Sequence, residues 1–133
     1  LAFDSIRRHT LSIVNRLKIR AASPAAPASS LSGGNQQKLV VGRELEFEPK
    51  VVVAAQPTRG VDVGAIEQIH RELLDLRAAG KAVLLISAEL DELLALSDRL
   101  VVIYEGRIVA EGRTEDFTET QLGLLMAGGK NLG

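Results

Sequence analysis

The sequence predicts an α/β fold in which parallel strands are joined by helical crossovers. Two short apolar runs, Val51 to Ala55 and Ala82 to Ser87, contain β-branched residues and are typical of strands that are buried on both faces of a sheet. Between them, from about Val63 to Gly80, apolar residues recur at helical spacing. The 133 residues are 46% hydrophobic and include no Cys, which excludes the disordered and disulfide-dependent classes.

The segment before the first strand is predicted to contain two helices and a connector. Asp4 or Ser5 can cap the first helix, whose apolar face comprises Ile6, Ile13, Val14, Leu17 and Ile19. Two prolines among small residues predict an extended connector from Ala21 to Ser30. The second helix is expected from about Asn35 to Glu46.

The segment after the second strand is predicted to continue the alternation. A short helix at Glu89 to Leu96 precedes a third strand of the same sheet at Leu100 to Tyr104. Glu105-Gly106 has the composition of a tight hairpin turn leading to a strand from Arg107 through Ala110. A final helix is expected near Thr118, because Thr118 and Gln121 have the spacing of a capping box.

Charge and hydropathy exclude several functions. Residues 1 to 30 carry five basic groups against Asp4 alone, but no aromatic residues are interleaved for base stacking, so we expect a solvated helix face and no nucleic-acid partner. No apolar run approaches the ~18 residues of a membrane-spanning helix. The start lacks Met and a signal core, and we expect it to be an internal cut through a longer chain.

The residues Leu31 to Lys38, LSGGNQQK, form the most informative segment. Ser32, Gly33 and Gly34 stand at a predicted helix start, where backbone N–H groups and the helix dipole favour an anion and no Cβ blocks a phosphate. A flexible Ser-Gly-Gly linker with Ser32 as N-cap accounts for the same residues equally well. The residues alone leave both interpretations open.

The whole segment Leu31 to Lys38 resembles the signature motif of ATP-binding-cassette (ABC) ATPases, in the form typical of importers for simple sugars and nucleosides. Val51 to Ala65 resembles the Walker B strand and D-loop of that family, and Leu84 to Arg99 its switch region. The resemblance implies a partial P-loop NTPase fold. Residues 1–30 would be the end of the helical subdomain and a connector, and residues 31–133 the C-terminal part of the ATPase domain.

The resemblance also identifies a degenerate catalytic site. The chain has no G-x-x-x-x-G-K-[ST] loop, which the family places upstream. Ala55 stands where the family has the Asp of the magnesium shell, and Gln56 where it has the Glu that polarises water. Ala88 stands at the switch histidine. No catalytic residue is therefore expected to be intact, no metal site is expected, and the chain alone should be inactive.

The family geometry implies a role for the intact signature. Two ATPase modules sandwich nucleotides head to tail, so Ser32, Gly33, Gly34 and Gln36 would contact the γ-phosphate of ATP held by a partner module. Asp62 of the D-loop would couple the two sites across the interface. ATP and Mg2+ are the cofactors implied for the complete two-module assembly.

The implied partners are a second ATPase module, permease subunits and, indirectly, a solute-binding protein, at the cytoplasmic face of the membrane. The Ala55-Gln56 variant favours the second of two fused modules and a nucleoside as solute. Two alternatives are paired cassettes that act on ribosomes or DNA, and a regulatory or interaction module without catalysis. His9 and His70 are expected to be surface or packing residues. Arg59 is expected to contact an interface or a phosphate. The acidic residues at the start of the short helix are expected to interact with its dipole; they are Glu89, Asp91 and Glu92.

Overall fold

A computed structural model describes residues 2–129, which divide into two compact units at the boundary between Leu84 and Leu85. The division expected at residue 30 stays a prediction. No helix within the described range is long and apolar enough to cross a bilayer. The helices and strands in chain order are α1 (Phe3–Arg16), α2 (Gly33–Leu45), β1 (Val51–Ala55), α3 (Val63–Ala78), β2 (Ala82–Ile86), α4 (Leu90–Leu96), β3 (Arg99–Tyr104), β4 (Arg107–Arg113) and α5 (Glu119–Met126).

Helix α1 is shorter than the sequence pattern predicted. It begins after Ala2, without a side-chain cap, so neither Asp4 nor Ser5 is the N-cap. It ends before Lys18, whose φ of 51° is left-handed. Lys18 N donates to Asn15 O and Ile19 N to Val14 O, which is the Schellman pattern of a helix C-terminus. The two apolar residues assigned to the end of the helix face, Leu17 and Ile19, therefore lie in the turn, and both are buried.

The first unit contains the start of the predicted parallel sheet. Ala82 N donates to Lys50 O at 3.0 Å, so β1 and β2 begin side by side and run parallel, with α3 as their crossover. Burial on both faces was wrong, because exposure alternates along each strand and Val53 remains 62% exposed. In the described residues, one face of this sheet is uncovered.

Close approaches of backbone bring the three helices of the first unit together. A Cβ on Gly42 of α2 would overlap side-chain atoms of Ile13 and Leu17, so α1 crosses α2 at a glycine. Helix α3 turns one face inward, formed by Ala65, Gln68, Ile69 and Leu73. Gly80 follows α3 with a φ of 76°, as predicted for a C-terminal cap.

The second unit is an antiparallel hairpin packed on helices. Strands β3 and β4 are joined by Glu105 and Gly106, whose φ angles of 46° and 74° suit a tight hairpin turn. Pairing continues to Arg113, three residues beyond the prediction. Among the described residues β3 pairs with β4 and not with β1 or β2, so the expected single sheet of three strands was wrong. The hairpin with β4 uses one edge of β3, and among residues 2–129 no strand pairs with its other edge.

The core of the second unit lies between the hairpin and α5. It is formed by Leu100 and Val102 of β3 with Leu122 and Leu125 of α5, flanked by residues of α4. The predicted capping box of α5 is confirmed, since Gln121 N donates to Thr118 Oγ1 at 3.2 Å and Thr118 N to Gln121 Oε1 at 2.9 Å. The acidic residues at the start of α4 differ from each other: Glu89 and Asp91 are exposed, whereas Glu92 is buried. Asp91 and Glu92 both lie in the first turn of α4, where the helix dipole favours acidic side chains.

Candidate functional site

The N-terminus of α2 carries the signature sequence and has no side-chain cap. Ser32 is the N-cap residue by its extended backbone, but its hydroxyl does not bond to the helix. Ser32 Oγ instead accepts a hydrogen bond from Asn35 Nδ2 at 2.9 Å. The first N–H groups of a helix need an outside acceptor, and the dipole of α2 favours a negative one. This helix end is suited to an anion.

The two signature glycines have different surroundings. A Cβ on Gly33 would meet only Gly60 O, at 3.9 Å. A Cβ on Gly34 would lie 2.6 Å from Asp62 Oδ2 and 3.0 Å from the Ala65 Cβ. Gly34 is therefore required for the close approach of α2 to the start of α3, whereas packing within this chain does not require Gly33.

The four residues after the glycines bond to backbone elsewhere in the first unit. These contacts were missed in the sequence, because three of the partners lie outside the motif, the fourth, Leu31, lies at its first position, and no local pattern identifies them. Gln36 uses its amide for a contact within its own chain, which competes with the role expected for it as a phosphate ligand. The contacts are Arg20 N to Asn35 Oδ1 (3.0 Å), Gln36 Nε2 to Leu31 O (2.9 Å), Gln37 Nε2 to Pro57 O (2.9 Å) and Lys38 Nζ to Lys18 O (3.4 Å).

Asp62 lies beside the signature and caps α3. Its Oδ1 accepts a hydrogen bond from Ala65 N at 3.0 Å, and its Oδ2 faces Gly34. Four of the residues expected to act together, Ser32, Gly33, Gly34 and Asp62, are thus at two adjacent helix starts. Coupling of two nucleotide sites by Asp62 stays a prediction, while helix capping is a role that the geometry defines.

Replacing Asp62 with Ala should lower the free energy of unfolding by about 0.5 to 2 kcal/mol, because α3 loses its N-cap acceptor. Asp62→Asn should retain most of the stability, since Asn is an equally good cap. Glu67→Ala, at an exposed position of the same helix, is the control and should change little. Urea unfolding of the three variants measures these differences. Equal stability of Asp62→Ala and the control would contradict the capping role.

The end of β1 has no carboxylate. Ala55 is exposed, and Gln56 follows it with a φ of 49° while its carbonyl accepts from Arg59 N at 3.2 Å. Ala88 lies between β2 and α4. These residues do not fit Mg2+, which prefers carboxylate oxygens. Within residues 2–129 no group of three or more His, Cys, Asp or Glu is placed to hold a metal ion.

The two histidines are not placed together. His9 Nε2 lies 3.0 Å from Glu46 Oε2, and Arg16 Nη2 is 3.2 Å from Glu46 Oε1, so both side chains of α1 contact Glu46 at the end of α2. His70 is half-buried on α3. Arg59 is exposed next to the end of β1, and its interface or phosphate role stays a prediction.

A cavity of about 440 Å³ lies within the first unit, beside the start of α2. The sequence does not predict this cavity, because its basic residues come from three separate segments and lie close together only in the folded unit. Four basic residues, two acidic residues and four others line it: Lys18, Arg20, Lys38 and Arg71; Asp62 and Glu67; Ser32, Asn35, Gly64 and Gln68.

Comparison with curated proteins identifies relatives over most of the chain. The guanosine import ATP-binding protein NupO of Bacillus subtilis is 53% identical over 117 residues, which are 88% of this chain and 23% of the relative. The ribose import ATP-binding protein RbsA 2 of Rhizobium etli is 47% identical over 113 residues, 85% of this chain and 22% of the relative. The chain thus spans less than a quarter of the length of these relatives. No protein-family model matches it.

Solved structures have the same fold. The ADP conformation of MJ1267, an ATP-binding cassette of an ABC transporter, is 31% identical, with a TM-score of 0.67 over 92% of this chain and 46% of the solved chain. The signature and the end of β1 that are described above lie within a chain that this cassette matches almost throughout. The chain therefore belongs to the ABC ATPase family and is a homologue of the ATP-binding proteins of nucleoside and sugar importers.

Proposed function

We propose that this chain donates its signature to a composite ATP site whose P-loop belongs to a second ATPase module, within the energy-coupling subunit of a nucleoside or sugar importer. The observation that carries the proposal is the start of α2, which has no side-chain cap and where Ser32 and Gly33 are both exposed to solvent. The names of the relatives, which are import ATP-binding proteins for guanosine and ribose, support the class of transport.

The helix end provides three kinds of contact for a terminal phosphate. The Ser32 hydroxyl donates one hydrogen bond, and it keeps this capacity because its contact with Asn35 uses an oxygen lone pair. The N–H groups at the start of α2 supply further donors, and Gly33 leaves room for close approach. Donors that are already oriented stabilise charge that develops during phosphoryl transfer.

The residues at the end of β1 include no catalytic carboxylate, so in this proposal ATP is hydrolysed only at the site whose P-loop belongs to the partner module. Gln56 carries a neutral amide, which can hydrogen-bond a water molecule but cannot accept its proton. Ala55 has no polar atom with which to hold a metal shell, so Mg2+ would be held by residues of the partner module. Gln36 is the weakest member of the expected signature set, because its amide already donates to Leu31 O.

The test is Ser32→Arg in the complete protein that contains this chain and its partner module. We expect transport-coupled ATP hydrolysis to fall at least ~100-fold, the effect of removing one donor to transition-state charge, because the Arg side chain also fills the approach to α2. Ser29→Arg is the control, at an exposed position outside the helix cap, and should retain turnover. Phosphate release measures both. Wild-type turnover of Ser32→Arg would overturn the proposal.

The absence of a carboxylate at the end of β1 also favours a second candidate, a regulatory or interaction module without a catalytic contribution. The two functions predict different ATPase rates for the partner module when the signature of this chain is absent. If its ATPase rate is equal with and without the signature of this chain, the module is a scaffold; if the rate depends on Ser32, it is a donor.

The proposed role implies where the protein acts and with what. An import ATP-binding subunit couples to permease subunits and acts with a solute-binding protein, so we place this chain at the cytoplasmic face of the membrane as a peripheral subunit. The relatives named for guanosine and nucleoside import are 53% and 47% identical, and the ribose relative is 47% identical, which supports nucleosides or sugars as the class of solute.

A further inference from the structure

We propose that the cavity beside α2 binds a phosphate group, with the Lys38 ammonium as its central contact. The ligand class is a phosphate dianion, supplied as free orthophosphate or as a phosphate group of a nucleotide. The cavity shares Ser32 and Asn35 with the start of α2, but this inference goes beyond the composite ATP site, because it concerns binding by this chain alone and depends on the Lys38 charge.

Lys38 is the first observation. Lys38 is only 9% exposed, and its Nζ donates a hydrogen bond to one acceptor, Lys18 O, at 3.4 Å. In the described part of the chain, no carboxylate lies within 4.0 Å of it. An ammonium has three N–H donors, so the contacts present leave most of its capacity unused. A buried cation with so little compensation is costly, and an anion in the cavity would supply both charge and acceptors.

The other cations of the cavity are the second observation. Lys18, Arg20 and Arg71 line it together with Lys38, and none of these three forms an ion pair among residues 2–129. Four basic groups outnumber the two carboxylates of the lining, and one of these, Asp62, is already engaged by Ala65 N. Guanidinium groups match the oxygens of a phosphate in pairs. The excess of positive charge therefore favours a dianion.

The backbone of Lys18 is the third observation. Lys18 occupies the left-handed position that ends α1, with a φ of 51°. The corresponding positions after α3 and α5 are Gly80 and Gly128, with φ angles of 76° and 83°, and glycine adopts this conformation without steric cost. A lysine there destabilises the turn relative to glycine but adds a cation to the cavity. Three other non-glycine residues that do not line the cavity, Glu48, Gln56 and Glu105, have the same left-handed conformation, so the site is supported by the cation that Lys18 adds and not by its backbone angle.

The size of the cavity agrees with the ligand. Its volume of about 440 Å³ lies in the range of about 300 to 1,000 Å³ that small-molecule sites have. A phosphate group with bound water fits this space, and the attached part of a nucleotide can extend out of its open side.

The experiment titrates the 133-residue chain with potassium phosphate at constant ionic strength, and observes backbone amide shifts by NMR. Wild-type chain should show saturable shifts around Lys18, Asn35 and Lys38. Lys38→Met, which keeps the aliphatic stem and removes the charge, should lose at least tenfold in affinity. Lys50→Met is the matched control, because Lys50 is exposed and does not line the cavity, and its affinity should equal that of the wild type.

Two further measurements keep the outcome interpretable. If Lys38→Met does not fold, as judged by circular dichroism, Arg71→Gln at an exposed position of α3 replaces it and should also weaken phosphate binding. A parallel titration with ADP identifies the source: saturation by orthophosphate assigns the site to free phosphate, and saturation by ADP alone assigns it to a nucleotide phosphate.

The proposal fails if neither probe saturates, or if Lys38→Met binds as tightly as Lys50→Met. This failure is distinguishable from failure of the proposed function. Ser32→Arg can abolish ATP hydrolysis in the complete protein whether or not the isolated chain binds phosphate. Conversely, phosphate binding that depends on Lys38 would persist if hydrolysis proved independent of Ser32.

Discussion

Leu17→Ala is expected to lower the free energy of unfolding of this chain by about 2 to 5 kcal/mol, the range for a buried leucine that leaves a cavity. Leu17 is only 1% exposed, one of the three largest fully buried side chains of the described residues. Its side chain fills the space at the crossing of α1 and α2, against Gly42. The backbone turn at Lys18 holds Leu17 at this crossing, so α1 and α2 cannot easily move together to fill the space that the substitution leaves.

Leu11→Ala is the matched control, because it removes the same atoms from a position on α1, whereas Leu17 lies in the turn that ends this helix. Leu11 is 36% exposed, so we expect a loss of less than about 1 kcal/mol, close to that of a surface substitution. Urea unfolding followed by circular dichroism measures both variants. Equal losses for the two leucines would show that the α1–α2 crossing does not stabilise the unit.

Gly34→Ala should lower the free energy of unfolding by about 1 to 3 kcal/mol, the usual effect of overpacking. The new methyl group would lie 3.0 Å from the Ala65 Cβ and 2.6 Å from Asp62 Oδ2. Moving the Asp62 carboxylate away would break its hydrogen bond with Ala65 N and uncap α3. Moving the helices apart would displace the start of α2, so hydrolysis in the complete protein should also fall.

Gly33→Ala is the control within the same motif. Because a Cβ there meets only Gly60 O at 3.9 Å, we expect stability within about 0.5 kcal/mol of the wild type, as for a surface position. ATP hydrolysis should nevertheless fall in the complete protein, since the methyl group occupies the approach to α2. If the two alanine variants unfold at the same urea concentration, the assignment of separate roles to the two glycines is wrong.

Local patterns accounted for the elements of this chain that were predicted correctly. The α3 crossover, its glycine cap at Gly80, the Glu105-Gly106 turn and the capping box at Thr118 each depend on residues within a few positions of one another. Because such interactions depend only on residues that are close in the sequence, spacing and residue type suffice to identify them.

The elements that were predicted wrongly depend on partners distant in the chain. The apolar spacing of α1 continues past Arg16, but the left-handed Lys18 ends the helix. Strands β1 and β2 have the composition of strands that are buried on both faces, yet exposure alternates along each of them. Hydrophobic periodicity indicates which face of a segment is apolar, but it does not indicate which other segment packs against that face.

The candidate site divides in the same way. The sequence by itself determined the family, the signature at Ser32 to Gly34 and the absence of a carboxylate at Ala55 and Gln56, because these are properties of residue type and order. Only the tertiary structure decided that Gly34 packs on Asp62 and that Lys38 lines a cavity with cations from other segments. The physical reason is that close approach and charge clustering arise from the packing of α1, α2 and α3, which brings together residues up to about fifty positions apart.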